Sequence, residues 1–182
     1  EQSKAGKIIL IAGDKNHPEV EGIVKHCNGE CFVFADDEEL KRIFKKNLDF
    51  LGKKVAIVAQ TTYNIIVWNK CMSIIPDTYK NVSEIFQTIC NATSTRQTDA
   101  IELAKKSDVM VVIGGKHSSN TIKLFNVCNK YCRTYHVEDS DELFDLDFAG
   151  AFNIGITAGA STPAYIIKEV IQKMAEIQNN LE

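Results

Sequence analysis

Short apolar runs alternate with helix-period segments along this chain, and four of the runs stop abruptly in small polar residues. Ile8–Ala12 closes in Gly13-Asp14-Lys15-Asn16-His17-Pro18-Glu19, and Val55–Ala59 closes in Gln60-Thr61-Thr62. Val109–Ile113, the most apolar run, leads to Lys116-His117-Ser118-Ser119-Asn120-Thr121, and Asn153–Thr157 leads to Gly159-Ala160-Ser161-Thr162-Pro163. Runs bounded in this way read as strands, as do Cys31–Ala35, Ile85–Ile89 and Thr134–Val137. Helices are predicted over Val20–Lys25, from Asp36 to Lys46, over Tyr63–Ile75, Thr95–Ser107, Ser119–Cys132 and Thr162–Asn179. In the last of these, Ile166, Ile167, Val170, Ile171, Met174 and Ile177 form one apolar stripe.

Continuous apolar strands separated by helices predict an α/β fold whose mainly parallel sheets are covered by helices on both faces. A polar corner from Thr88 to Thr95 divides the pattern into similar halves, giving two α/β lobes over residues 1–89 and 90–182. Each half repeats strand, polar corner and helix, which allows a distant internal duplication. In open α/β sheets ligands bind beyond the carboxyl ends of the strands. All five polar corners fall there in this reading, facing one common centre between the lobes.

Composition narrows the class. The 182 residues are 45% hydrophobic and 25% charged, with a formal net charge of −3, so no basic footprint for nucleic acid is present. No apolar run approaches the roughly 20 residues that cross a bilayer, and no signal peptide opens the chain, so a cytoplasmic address is expected. The six cysteines, Cys27, Cys31, Cys71, Cys90, Cys128 and Cys132, include no C-x-x-C pair and are expected as free thiols or metal ligands rather than as a disulfide framework. Cys128 and Cys132 stand four apart on a predicted helix, a spacing that places both on one packed face. Leu181-Glu182 reads as a remnant of cloning.

The corners carry the chemistry. Unpaired N–H groups and a partial positive charge at a helix start favour anions. His117-Ser118-Ser119-Asn120 offers more donors than a helix cap needs and favours anion binding, whereas Ser161-Thr162-Pro163 serves equally well as a cap with proline at the first helical position. His17-Pro18-Glu19 sets a base and a carboxyl group two residues apart at a strand end, and beside a bound phosphate the carboxyl becomes a proton donor. Cys90 stands just before a helix start, where a thiolate is favoured as nucleophile, redox group or metal ligand; a structural cysteine is the bland alternative. No dinucleotide or P-loop glycine pattern occurs.

Taken together, His17-Pro18-Glu19-Val20-Glu21-Gly22, Gln60-Thr61-Thr62, Thr88-Ile89-Cys90-Asn91-Ala92-Thr93, Lys116 through Thr121 and Gly155 through Pro163 resemble, in order, the motifs of the 4-hydroxy-3-methylbut-2-enyl diphosphate reductases, the IspH or LytB family. The resemblance implies a three-lobed α/β trefoil, of which this chain forms two lobes. It implies reductive dehydroxylation of an allylic diphosphate to isopentenyl and dimethylallyl diphosphates in the non-mevalonate isoprenoid pathway. A 4Fe-4S cluster held by three cysteines and an external electron donor such as ferredoxin or flavodoxin go with that activity. By the same resemblance Glu19 protonates the leaving hydroxyl with Thr61 in its proton network, Cys90 is a cluster ligand, and His17, Ser118, Ser119, Asn120 and Ser161 hold the diphosphate. The family's first lobe and its other two cluster cysteines are expected upstream of Glu1, so the chain alone is expected to hold no intact cluster and to be inactive. The alternatives are a non-catalytic module that binds a phosphorylated small molecule, and a thiol enzyme with Cys90 as nucleophile.

Overall fold

The computed structural model describes residues 1–46, 53–81 and 83–179; Leu181 and Glu182 lie outside them. The chain divides into two compact units, Glu1–Cys90 and Asn91–Glu182.

The first unit is a parallel sheet in the order β2-β1-β3-β4, built from β1 (Ile8–Ala12), β2 (Cys31–Phe34), β3 (Val55–Ala59) and β4 (Ser83–Phe86). Around it run α1 (Pro18–Lys25), α2 (Asp37–Lys46), α3 (Ile65–Ser73) and the single turn α4 (Asp77–Lys80). Every residue of β1 is buried, as the apolar run requires of a strand covered on both sides. One face packs Leu10, Phe34, Leu40, Ile57 and Trp68 under α2 and α3. The other packs Ile9, Ile11, Val20 and Ala56 under α1.

The second unit repeats the central arrangement. Its parallel sheet has the order β6-β5-β7, with β5 (Val109–Ile113) in the middle, β6 (Arg133–Val137) and β7 (Ile154–Ala158). In both units the first strand lies between the second and the third. The unit's helices are α5 (Asn91–Ala104), α6 (Ser119–Cys128) and α7 (Ala164–Asn179), with a 3-10 turn at Asp141–Asp145. Helices α5 and α6 cover Met110 and Val112 on one face. On the other face Val170 and Met174 of α7 pack on Val109, Val111 and Ile113. The α/β class and the parallel sheets are thus as the apolar pattern predicts.

Several boundaries differ, and each difference has a local cause. β4 stops at Phe86 rather than Ile89, because the side chain of Thr88 takes over the ladder. Its Oγ1 accepts the Ala59 N–H at 2.8 Å and the hydroxyl donates to the Ala59 carbonyl. α5 begins at Asn91, four residues before the prediction, since its polar first turn is satisfied internally. The Ser94 hydroxyl donates to the Asn91 carbonyl at 3.0 Å and the Thr98 hydroxyl to the Ser94 carbonyl at 3.0 Å. β2 ends at Phe34 because the Ala35 N–H goes to Glu39 Oε2 at 2.8 Å while Asp36 Oδ1 accepts the Glu39 N–H at 2.8 Å, a capping arrangement for α2. α3 starts only after Asn64, whose side chain accepts the Ile66 and Val67 N–H groups. α6 ends at Cys128, so Cys132 lies beyond it and the expectation of two cysteines on one helix face is corrected. α7 starts at Ala164, which leaves Pro163 outside the helix rather than at its first position.

Candidate functional site

In the first unit three strand ends are tied to one another. After β1 the chain turns through Asp14, and the His17 ring caps α1, its Nδ1 accepting the Glu19 N–H at 3.2 Å. With Nδ1 engaged as an acceptor, the neutral ring carries its proton on Nε2, an outward donor. Pro18 opens the helix behind this cap. Glu19, in the first turn of α1, thereby reaches the end of β3, where Oε1 accepts the Thr61 N–H at 2.8 Å and Oε2 the Thr61 hydroxyl at 3.0 Å. The Thr61 carbonyl in turn accepts the Cys90 N–H at 2.9 Å. The carboxyl group of Glu19, Thr61 and the backbone of Cys90, drawn from three separate motifs, are thus linked by hydrogen bonds.

Cys90 is exposed at the end of this array. Glu19 is half-buried and borders a cavity of about 480 Å³ lined also by Ile9, Ile23, Cys27 and Val58. Beneath the array lies Gln60, wholly buried, whose Oε1 accepts the Asp14 N–H at 3.2 Å and whose amide donates to Thr62 Oγ1 at 3.1 Å. The sequence pattern marks Gln60 only as the first residue of the polar corner after β3 and assigns it no role. The signal for it is a polar amide directly continuing a buried strand, a place that needs a partner for every polar atom.

The second unit presents a different chemistry at its strand ends. Gly114, with φ of +142°, turns the chain out of β5, a conformation that side chains disfavour. Ser118 then caps α6, its Oγ accepting the Thr121 N–H at 3.4 Å. Ser119 and Asn120 form the first turn. Asn120 is 9% exposed, and neither its Oδ1 nor its Nδ2 has a hydrogen-bond partner. A buried amide left so costs roughly 1–3 kcal/mol, which makes Asn120 a candidate for a ligand contact. His117 and Ser161 are exposed at the same end of the sheet. Lys116 is held back from that opening: its N–H meets Glu138 Oε1 at 2.7 Å and its Nζ meets Glu142 at 2.6 Å.

The structure therefore joins Glu19, Thr61 and Cys90 within one unit beside His17, and gathers Ser118, Ser119 and Asn120 with Ser161 at the strand ends of the other. The remaining cysteines offer little to a metal. Burial pushes the Cys71 thiol up to about 11 and the Cys128 thiol up to about 12. Cys27 is half-buried and donates to the Ile23 carbonyl at 3.3 Å. Among the described residues no three His, Cys, Asp or Glu side chains converge as a metal site. Taken by themselves, then, these residues do not fit an iron–sulfur cluster; Cys90 offers one ligand of the several that a cluster needs. Nor is any helix among the described residues long and apolar enough to cross a membrane.

Comparison with known proteins places this geometry in a family. The model of the LytB protein family matches residues 1–175. The chain is 42% identical over 178 residues to the 4-hydroxy-3-methylbut-2-enyl diphosphate reductase of Nautilia profundicola, covering 97% of this chain and 62% of that one. It is 45% identical over 183 residues to the reductase of the same name from Caldanaerobacter subterraneus, covering 100% of this chain and 61% of that one. Among solved structures, the E-1-hydroxy-2-methyl-but-2-enyl-4-diphosphate reductase from Plasmodium falciparum superposes with a TM-score of 0.73 at 29% identity, over 97% of this chain and 54% of that one. The chain thus spans about three fifths of the length of the curated relatives it matches. With the family pattern running through residues 1–175, and with the strand ends arranged as described, the chain belongs to the LytB protein family.

Proposed function

We propose that this chain supplies the substrate-holding and proton-donating portion of a 4-hydroxy-3-methylbut-2-enyl diphosphate reductase, in which the allylic hydroxyl leaves as water and isopentenyl and dimethylallyl diphosphates form. The observation that carries the reading is Asn120, buried with both amide atoms unpaired at the start of a helix. A diphosphate would satisfy the Asn120 amide N–H and take further donors from Ser118, Ser119 and Ser161; within the first unit, His17 is the residue that the family resemblance assigns to the diphosphate. Neutral donors and helix starts stabilise its charge without a counter-cation. Glu19 would hold the proton for the departing hydroxyl. Thr61 orients that carboxyl group through two hydrogen bonds, so that its oxygens are fixed in place before the substrate enters.

The reaction also consumes two electrons and a second proton, which the allylic carbon skeleton takes up as its C–O bond breaks. In the complete enzyme the electrons would come through a 4Fe-4S cluster, with Cys90 as one of its ligands, from an external carrier such as ferredoxin or flavodoxin. The reading keeps the cytoplasmic address of a biosynthetic enzyme fed by such a carrier. The test is calorimetric titration of the chain with the allylic diphosphate. Saturable binding that falls at least tenfold in Asn120→Leu is expected. No binding, or equal binding by the variant, overturns the reading.

A further inference from the structure

We propose that Thr162 is a positioning residue for the anion site of the second unit, fastening the loop that carries Ser161 to the loop that carries Ser118, Ser119 and Asn120. The inference rests on the reading that those residues take a diphosphate. Thr162 stands where a helix cap is expected, yet its hydroxyl turns inward and donates to the Ile113 carbonyl at 3.0 Å. That carbonyl ends the central strand β5 and also accepts the Gly159 N–H at 2.8 Å. Two donors from the β7–α7 corner therefore converge on the strand end from which the β5–α6 corner departs.

The space around this hydroxyl is complementary to it. A Cβ on Gly114 would lie 2.6 Å from Thr162 Oγ1 and 2.9 Å from Thr121 Oγ1. A Cβ on Gly159 would lie 2.3 Å from Thr121 Oγ1 and 3.3 Å from Thr162 Oγ1. The two threonines thus fill the volume that the two glycines leave open, one threonine from each corner. Thr121 is wholly buried and directly follows Asn120; Thr162 directly follows Ser161. Fixing these two neighbours fixes the separation of the amide and the serine hydroxyl that would grip one anion. Donor spacing of this kind sets affinity because a misplaced donor forfeits its hydrogen bond while the group it leaves behind stays desolvated.

The test uses inorganic diphosphate as the probe, titrated into the chain and followed by amide shifts in NMR at a temperature where every variant is folded. Thr162→Val keeps the shape and removes the donor, and should weaken binding about 5- to 20-fold, while Thr162→Ser should restore it to within about twofold. Thr162→Ala, which crowds nothing at the strand end, gives the same loss if the valine variant fails to fold. Ile101→Ala, a core truncation on α5, should lower the melting temperature and leave the affinity unchanged. Wild-type affinity in both the valine and the alanine variant, failure of serine to restore binding, or an equal loss in Ile101→Ala overturns the role of Thr162. Absence of diphosphate binding by the wild-type chain instead removes the functional reading on which the role depends.

Discussion

Asn120 occupies a position where the packing alone favours an apolar side chain of similar volume. Asn120→Leu removes two unpaired polar atoms from the interior, and it should raise stability by about 1 kcal/mol while weakening the proposed diphosphate binding. A chemical melt showing the variant less stable than the wild type would contradict that account. The cysteines divide in the same physical way. Burial keeps Cys71 and Cys128 protonated at neutral pH, with thiols pushed up to about 11 and about 12, so neither presents a thiolate to an electrophile. Iodoacetamide at neutral pH should modify the exposed Cys90 and leave those two untouched in the folded chain. Peptide mass spectrometry reads the outcome directly, and early labelling of Cys128 would show that its core position is wrong.

At the level of elements, Asp37 shows how a charged residue joins two helices. It is 5% exposed at the first turn of α2, where Oδ1 meets Lys70 Nζ of α3 at 2.9 Å and Oδ2 meets Lys41 Nζ at 3.3 Å. The hydrogen bond from Lys70, aided by that from Lys41, holds this carboxyl below the ordinary aspartate value. Its pKa is therefore lower in the folded than in the unfolded chain, and its stabilising contribution is present above about pH 4 and lost as the pH falls through and below that point. The difference in melting temperature between wild type and Asp37→Asn should accordingly be present at pH 7 and shrink progressively as the pH falls below about 4. Element boundaries were legible wherever apolar pattern and backbone ladder end together, as in β1, β3 and β5. They were not legible where a side chain replaces the backbone. Thr88 ends β4 early by bonding Ala59 itself, and the hydroxyls of α5 fold back on their own helix, so a stretch that reads as a polar corner is already a helix.

For the molecule as a whole, the strand-end residues were legible because polar clusters stand out against apolar runs. The array of Glu19, Thr61 and Cys90 depends on pairing between β1, β3 and β4, which local pattern does not encode; the family resemblance links the first two residues, and the fold adds the backbone bond to the third. Gln60 and Thr162 stayed hidden because their work is done inward, against a loop N–H and a strand carbonyl. With Cys90 the single thiol at these strand ends among the described residues, anaerobic treatment of this chain with iron and sulfide should yield no stable stoichiometric four-iron species by absorbance or electron paramagnetic resonance. Such a species would show that the other cysteines regroup around the metal.

The pairing of β5 with β7 has a consequence for how the protein matures. Until β7 has been synthesised, Val109–Ile113 presents one bare hydrogen-bonding edge, and an apolar edge of that kind invites pairing with other chains. A nascent polypeptide halted before Ile154 should therefore be prone to aggregate and dependent on chaperones. The hydrogen bonds from Thr162 and Gly159 to the Ile113 carbonyl can form only once translation has carried that region clear of the ribosome.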